Sequence, residues 1–344
     1  RHFTPQNGLS SKGESLPFYN VVSRGADAGL VLAIGWTGSW NARFTGVTST
    51  EYKLFAGLEN ANFYLRPGEE VRTPLVATVF WKGADAAAGH NAFRRFVLKY
   101  HSPKSGGTAW APVFSGLDSG DPAPCTKDGC LTEDLALGKI IRQKQLGITP
   151  QVFRMDAGWY QAVDGPSDAG NFDWKASVGS WIADSGRFPS GMTNISSLIH
   201  SDGGQLMLWF EPERVCRNTQ IAKEHPEYLL GIPGDKKSAI VDLADDKTVE
   251  YLTKYIGDIV EKNGVDHLTL DFNCEGLDKV WAATDAEDRL GITEMRYVKG
   301  LYKLWDGLAK RFPSARFSLS ATDGSRIDLE SVSRGITLFT DGGY

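Results

Sequence analysis

The chain has 344 residues, a formal net charge of −5, 41% hydrophobic and 23% charged residues. That is the balance of a soluble globular protein. It argues against nucleic acid and against an acidic membrane surface as partners, and no apolar run reaches the length of a membrane span.

Ten Trp and 38 Gly are in excess. Aromatic rings on glycine-rich loops make good platforms for sugar rings, while core packing accounts for most Trp in any fold. Of the four Cys, Cys125 and Cys130 could close a small disulfide loop, but four intervening residues fit no common zinc pattern. The six His are scattered with no two at ligand spacing, so neither a metal nor a cofactor is expected. One Asn-X-Ser sequon, Asn194-Ile-Ser196, matters only in a secreted protein. No initiator Met and no signal-peptide pattern open the chain, so Arg1 reads as an internal start.

Residues 1–103 read as all-β. Short runs such as Leu30–Ile34, Tyr52–Phe55 and Leu75–Trp81 are separated by Gly, Asn and Pro-Gly turns. Helical spacing longer than two turns first comes at Asn91–Leu98. This part is expected to be a β-sandwich or a piece of one, joined by a linker at 104–108.

From 109 to 344, apolar strands alternate with helical stretches, the sign of βα units and a parallel sheet. Val113–Leu117 is the first strand. Thr132 caps a helix through Leu146 that Gly147 ends, and Pro150–Asp156 is the second strand. A short helix over Met192–Asp202 precedes the third strand, Gln205–Glu211. Asp245 or Asp246 caps a helix with Val249, Leu252, Ile256 and Val260 on one stripe, stopped by Gly264. His267–Asn273 is the fourth strand, and another amphipathic helix carries Val298, Leu301 and Trp305. Arg316–Ala321 is the fifth strand and Gly335–Asp341 the sixth. No Gly-X-Gly-X-X-Gly follows the first strand, which speaks against a dinucleotide fold. Six such units suit a (β/α)8 TIM-type barrel, here incomplete at its C-terminal end, and the isolated segment is expected not to fold as a stable monomer.

Acids mark the strand ends: Asp156, Glu211 with Glu213, Asp271 and Asp341. Strict alternation places Thr269, Asp271 and Asn273 on one face, opposite Leu268, Leu270 and Phe272. Met207, Trp209 and Glu211 share a face in the same way, as do Thr337, Phe339 and Asp341. Carboxylates converging at a barrel mouth beside Trp159 and Trp209 suit glycoside chemistry, in which one attacks the anomeric carbon and a second protonates the leaving oxygen. Retention needs them about 5–5.5 Å apart. The competing reading makes these acids structural ion pairs with Arg154, Arg187, Arg214 and Arg326.

Several ordered motifs then carry a resemblance. Met155-Asp-Ala-Gly-Trp-Tyr160, Val178-Gly-Ser-Trp181, Leu208-Trp-Phe-Glu-Pro-Glu-Arg-Val215, Leu270-Asp-Phe-Asn273, Arg289-Leu-Gly-Ile-Thr-Glu294 and Arg326-Ile-Asp-Leu-Glu330 resemble those of glycoside hydrolase family 36, the retaining α-galactosidases and α-N-acetylgalactosaminidases. Leu65-Arg-Pro-Gly68 and Asn91-Ala-Phe-Arg-Arg95 resemble that family's N-terminal β-sandwich. The resemblance implies a β-sandwich, a (β/α)8 barrel and a C-terminal β-domain. It makes Asp271 the nucleophile, sets Asp156 and Trp181 on galactose hydroxyls, and places Glu211 and Arg214 in the same pocket. Trp159, Trp209, Thr269, Asn273, Ser320, Asp323, Gly324 and Arg326 complete the expected substrate-binding set.

The chain also departs from the family. Thr269 stands where the family has Lys or Arg, so a cation that would bond sugar hydroxyls is lost, and weaker binding or a changed sugar preference is expected. Asp323 adds an acid where the family has a close-approaching Gly. Phe339-Thr-Asp-Gly342 aligns Gly342 with the acid/base, and a one-residue slip restores Asp341 to that role. The functions in competition are an α-galactosidase, an α-N-acetylgalactosaminidase or transglycosidase, and an inactive sugar-binding relative. The expected partner is an α-galactoside or related oligosaccharide or glycoconjugate, with self-association left open.

Overall fold

The structure, a computed structural model, describes residues 1–23, 25, 27–48, 51–105, 108–109, 112–117, 131–162, 173–319, 321 and 324–335. Two antiparallel three-stranded sheets form the N-terminal part. In one, Ala28–Gly35 lies between Phe18–Ser23 and Leu75–Lys82. In the other, Trp40–Gly46 lies between His2–Phe3 and Tyr52–Leu58. Rings fill the space between the sheets: Tyr19 lies 5.2 Å from Phe3 and 5.0 Å from Phe44. The helix expected over Asn91–Leu98 begins earlier, at Ala86, because the Asp85 carboxylate accepts the Ala87 and Ala88 N–H groups at 2.9 and 3.3 Å. Within and beside the expected linker, Lys104–Ser105 pairs with Thr108–Ala109.

The second part is built on a parallel sheet of five described strands, Phe114–Gly116, Val152–Met155, Gln205–Phe210, His267–Leu270 and Phe317–Leu319, neighbours in chain order. A doubly wound sheet reverses its order at a switch point. No reversal occurs among these strands, as in an arc of a βα barrel. Helices Glu133–Gln145, Thr193–Ser201, Asp246–Asn263, Ile292–Arg311 and Leu329–Arg334 follow the five strands.

Register sorts the side chains. Arg154 pairs with Met207, Trp209 with Thr269, and Thr269 with Ser318. Partners in a parallel ladder point the same way, so these residues share a face. Leu206, Leu208, Phe210, Leu268, Leu270, Phe317 and Leu319 take the other face and join the core shared with the helices.

Sequence reasoning missed a small antiparallel sheet after the third strand, made of Arg214–Cys216, Ser238–Val241 and Leu229–Gly231. The sixth expected strand, 335–341, beyond its first residue, and the Cys125–Cys130 loop lie outside the described residues. No helix of the described residues is long and apolar enough to cross a membrane.

Buried polar contacts tie the two parts together. Trp36 Nε1 and Ser39 N–H donate to the Glu294 carboxylate at 2.9 and 2.7 Å. Ser10 Oγ donates to Asp328 at 2.7 Å. Asn62–Phe63 pairs with Arg289–Leu290. Beside that ladder Gly291 stands at φ +91°, where a Cβ would come 1.9 Å from the Asn60 carbonyl oxygen, so only glycine fits.

Candidate active site

The strand-end acids fall into two kinds. Asp156 pairs with Arg154 at 2.6 Å and accepts the Ala157 N–H at 2.7 Å. Glu211 is fully buried and takes Arg214 Nε and Nη2 at 2.6 and 2.7 Å. Glu213 takes Arg326 Nη2 and the Tyr297 hydroxyl, both at 2.8 Å. Each of these three acids is thus paired with an Arg.

Asp271 differs. Its Oδ2 accepts Trp209 Nε1 at 3.2 Å and Asn273 Nδ2 at 2.7 Å, and its Oδ1 accepts the Phe272 N–H at 2.8 Å. No cation among the described residues pairs with it. Three donors thus hold a half-buried carboxylate at the end of the fourth strand, leaving a lone pair on Oδ1 for an electrophile. The geometry has a simple origin. His267–Leu270 ends one residue before Asp271, whose own N–H still bonds the Phe210 carbonyl at 2.8 Å, so the side chain leaves the sheet beside Glu211. Asn273 joins the two acids: its N–H reaches Glu211 Oε1 at 2.8 Å while its amide reaches Asp271.

Electrostatics follows burial. Burial pushes the Glu211 carboxyl up, and the Arg214 guanidinium opposes the rise. Tyr160, also fully buried, is pushed well above its ordinary range by burial and then by Glu211. On the same face further down, burial lowers His267 to about 4, so it is neutral at physiological pH.

The expected aromatic residues come together. Trp159 Nε1 donates to the Trp209 carbonyl at 2.9 Å, and Trp181 lies 6.3 Å from Trp159 and 5.8 Å from Trp209. Trp181 is buried at φ +40°, a strained backbone for a Trp, and its Nε1 has no partner among the described residues. Thr269 is fully buried in register with Trp209, and its Oγ1 has no partner among the described residues either.

Two expected contacts are used elsewhere. Arg326 does not face open space: it is 2% exposed, bonded to Glu213 and stacked 4.5 Å over the Phe272 ring. The Gly324 carbonyl accepts Ser11 Oγ at 2.6 Å, which ties this turn to the N-terminal loop. Ser320, Asp323 and Asp341 lie outside the described residues. Sequence reasoning gave no role to Tyr160 or Trp174, although Tyr160 Oη donates to the Trp174 carbonyl at 3.1 Å and Trp174 lies 5.5 Å from Trp209. Residues 157–192 carry neither strand nor helix periodicity, so their packing left no pattern to read.

Consecutive parallel strands with an anionic side chain and indoles at their C-terminal ends define a βα-barrel type of site. Residues 133–336 match the family model for melibiase, and the chain belongs to that family. Alpha-galactosidase 1 of Pediococcus pentosaceus is 26% identical over 289 residues, which is 80% of this chain and 36% of that protein. Alpha-galactosidase Mel36A of Lactobacillus acidophilus is 28% identical over 202 residues, 57% of this chain and 26% of that protein. The glycoside hydrolase family 36 α-galactosidase AgaA of Geobacillus stearothermophilus superposes with a TM-score of 0.79 at 20% identity, over 97% of this chain and 46% of that one. The resemblance to glycoside hydrolase family 36 is thereby borne out. The chain spans less than half the length of these relatives.

Proposed function

We propose that the protein to which this chain belongs is a retaining α-galactosidase and that the chain supplies its nucleophile, Asp271. The observation that carries this reading is the contrast among the strand-end acids: Asp156, Glu211 and Glu213 are held by guanidinium groups, and Asp271 by three neutral donors. A nucleophile must keep its charge accessible to the anomeric carbon, and an ion pair would oppose that. Variants of AgaA have been solved with stachyose and with raffinose. We take α-galactosyl oligosaccharides as the substrate class here too. The proposal includes closure of the parallel sheet into a (β/α)8 barrel after a β-sandwich over 1–103.

In the first step the Asp271 carboxylate attacks the anomeric carbon and the bond to the leaving oxygen breaks. That oxygen takes its proton from Asp341. In the second step Asp341 removes a proton from water, which attacks the same carbon and releases Asp271. Asp156 and the Trp181 indole N–H are assigned to sugar hydroxyls. Thr269 offers only a short hydroxyl where a long cation would reach further.

The test is azide rescue in the full-length protein. Asp341→Ala should lose activity most on substrates with poor leaving groups. Azide should restore turnover by attacking the glycosyl-enzyme, giving a glycosyl azide of retained configuration. Asp271→Ala with azide should give the inverted azide. Full activity of Asp341→Ala on disaccharides would remove it from the mechanism and make Asp323 the next carboxylate to examine. Turnover by Asp271→Ala without azide would overturn the reading altogether. Aryl α-galactosides beside aryl α-N-acetylgalactosaminides separate the two sugars, and no release from either would favour a binding protein.

A further inference from the structure

Next to the Asp271 site, the short sheet missed in the sequence walls a cavity of about 650 Å³. Among the described residues its charged lining is Lys175, Arg214, Arg217, Lys236, Lys237 and one acid, Asp173. Arg214 is neutralised by Glu211. Among the described residues, none of Lys175, Arg217, Lys236 and Lys237 takes part in an ion pair. The Asp173 carboxylate is turned toward its own chain, where one oxygen accepts the Lys175 and Ala176 N–H groups at 2.9 and 3.3 Å.

This concentration of cations is not a by-product of composition, because the chain as a whole carries −5. Like charges gathered on one concave wall repel one another, and their potential is focused on whatever occupies the cavity. Two contact paths join the cavity to the candidate nucleophile. One runs from Arg214 through Glu211 and Asn273 to Asp271. The other runs from the Lys175 ammonium, 5.5 Å over the Trp174 ring, through the Trp174–Trp209 contact to the indole N–H that bonds Asp271. The wall is held in place: Arg214 Nη1 and the Cys216 thiol both donate to the Lys175 carbonyl at 3.2 Å, and the Arg217 N–H bonds the Lys237 carbonyl at 2.8 Å.

We propose that this cavity binds an anionic group, a carboxylate or an ester of sulfate or phosphate, carried by the glycoside whose galactosyl residue sits at Asp271. The inference rests on the α-galactosidase reading and narrows its substrate class to acidic α-galactosides.

Melibiose and its aldonic acid test it, since they share the galactosyl group and the leaving oxygen, while the acid carries an open chain ending in a carboxylate in place of the reducing glucose ring. Binding is measured by calorimetry on the full-length Asp271→Asn protein, and turnover on the unmodified protein. At low salt the acid should bind about tenfold more tightly than melibiose, and the preference should shrink toward unity at about 0.5 M NaCl, where screening is effective within a few ångström. The double variant Lys236→Ala/Lys237→Ala should lose the preference, and Arg217→Ala should reduce it. Equal affinities in the parent protein, a preference that survives high salt or the double variant, or no binding of either sugar would each overturn the proposal. Turnover of melibiose without any preference for the acid would overturn the anion site and leave the α-galactosidase reading intact. Binding preference with turnover of neither sugar would sustain the anion site and remove the hydrolase.

Discussion

Glu211 and Asp271 end neighbouring strands and share Asn273, yet the structure gives them opposite surroundings. Glu211 is sealed from water and paired in bidentate fashion with Arg214. Removing one partner of such a pair leaves a buried charge without compensation and costs about 3–5 kcal/mol, whereas replacing both by apolar groups of similar volume is often close to neutral. Arg214→Met should therefore lower stability by several kcal/mol, and Glu211→Leu/Arg214→Met should recover most of it in thermal denaturation. A single variant as stable as the parent would remove the pair from the fold's support. Thr269 gives a prediction of opposite sign. Its buried hydroxyl has no partner among the described residues, so Thr269→Val should raise stability by about 1 kcal/mol. An unchanged denaturation midpoint would mean that the hydroxyl is already satisfied in solution.

The helix Asp246–Asn263 shows what a sequence makes legible at the scale of elements. Its start was readable because the Asp245 carboxylate accepts the Lys247 N–H, and its end because Gly264 turns to φ +63°. Asp245→Ala should cost about 1 kcal/mol, measured as a shift in the urea midpoint, and an unshifted midpoint would discount the cap. The strands Gln205–Phe210 and His267–Leu270 were legible for a related reason: alternation assigns every second side chain to the helix-facing core. The small sheet was not. Arg214–Cys216 and Leu229–Gly231 are three residues each, too short for a period to show, and their pairing with Ser238–Val241 depends on loops between them. At the site, alternation placed Asp271 and Thr269 on one face. It said nothing of which acids would meet guanidinium groups, because Glu211 and Arg214 lie three apart across a turn rather than along a helix.

At the scale of the whole molecule, Glu294 joins the N-terminal sheets to the parallel-sheet part. Burial pushes its carboxyl from 4.5 up to about 7, against the lowering influence of the Trp36 and Ser39 donors. The folded protein therefore holds a proton there that the unfolded chain releases above about 4.5. This contribution to stability is fully present below that value and is lost as pH rises through about 7, a change on the order of 3 kcal/mol. Stability should fall between about pH 5 and pH 8, and Glu294→Gln should flatten that fall when urea midpoints are compared across the window. A slope unchanged by the substitution would assign the titration to another group.

The same junction sets a schedule for synthesis. Ser10 and its partner Asp328 are separated by 318 residues, and Trp36 finds Glu294 only after 258 more have been added. At about 5–20 residues per second, the ribosome needs about 15–60 s to deliver those partners. Throughout that interval the face of the N-terminal sheets that bears Trp36 stands uncovered on the nascent chain, so a chaperone present at the exit tunnel would find its target there before the second half of this segment exists.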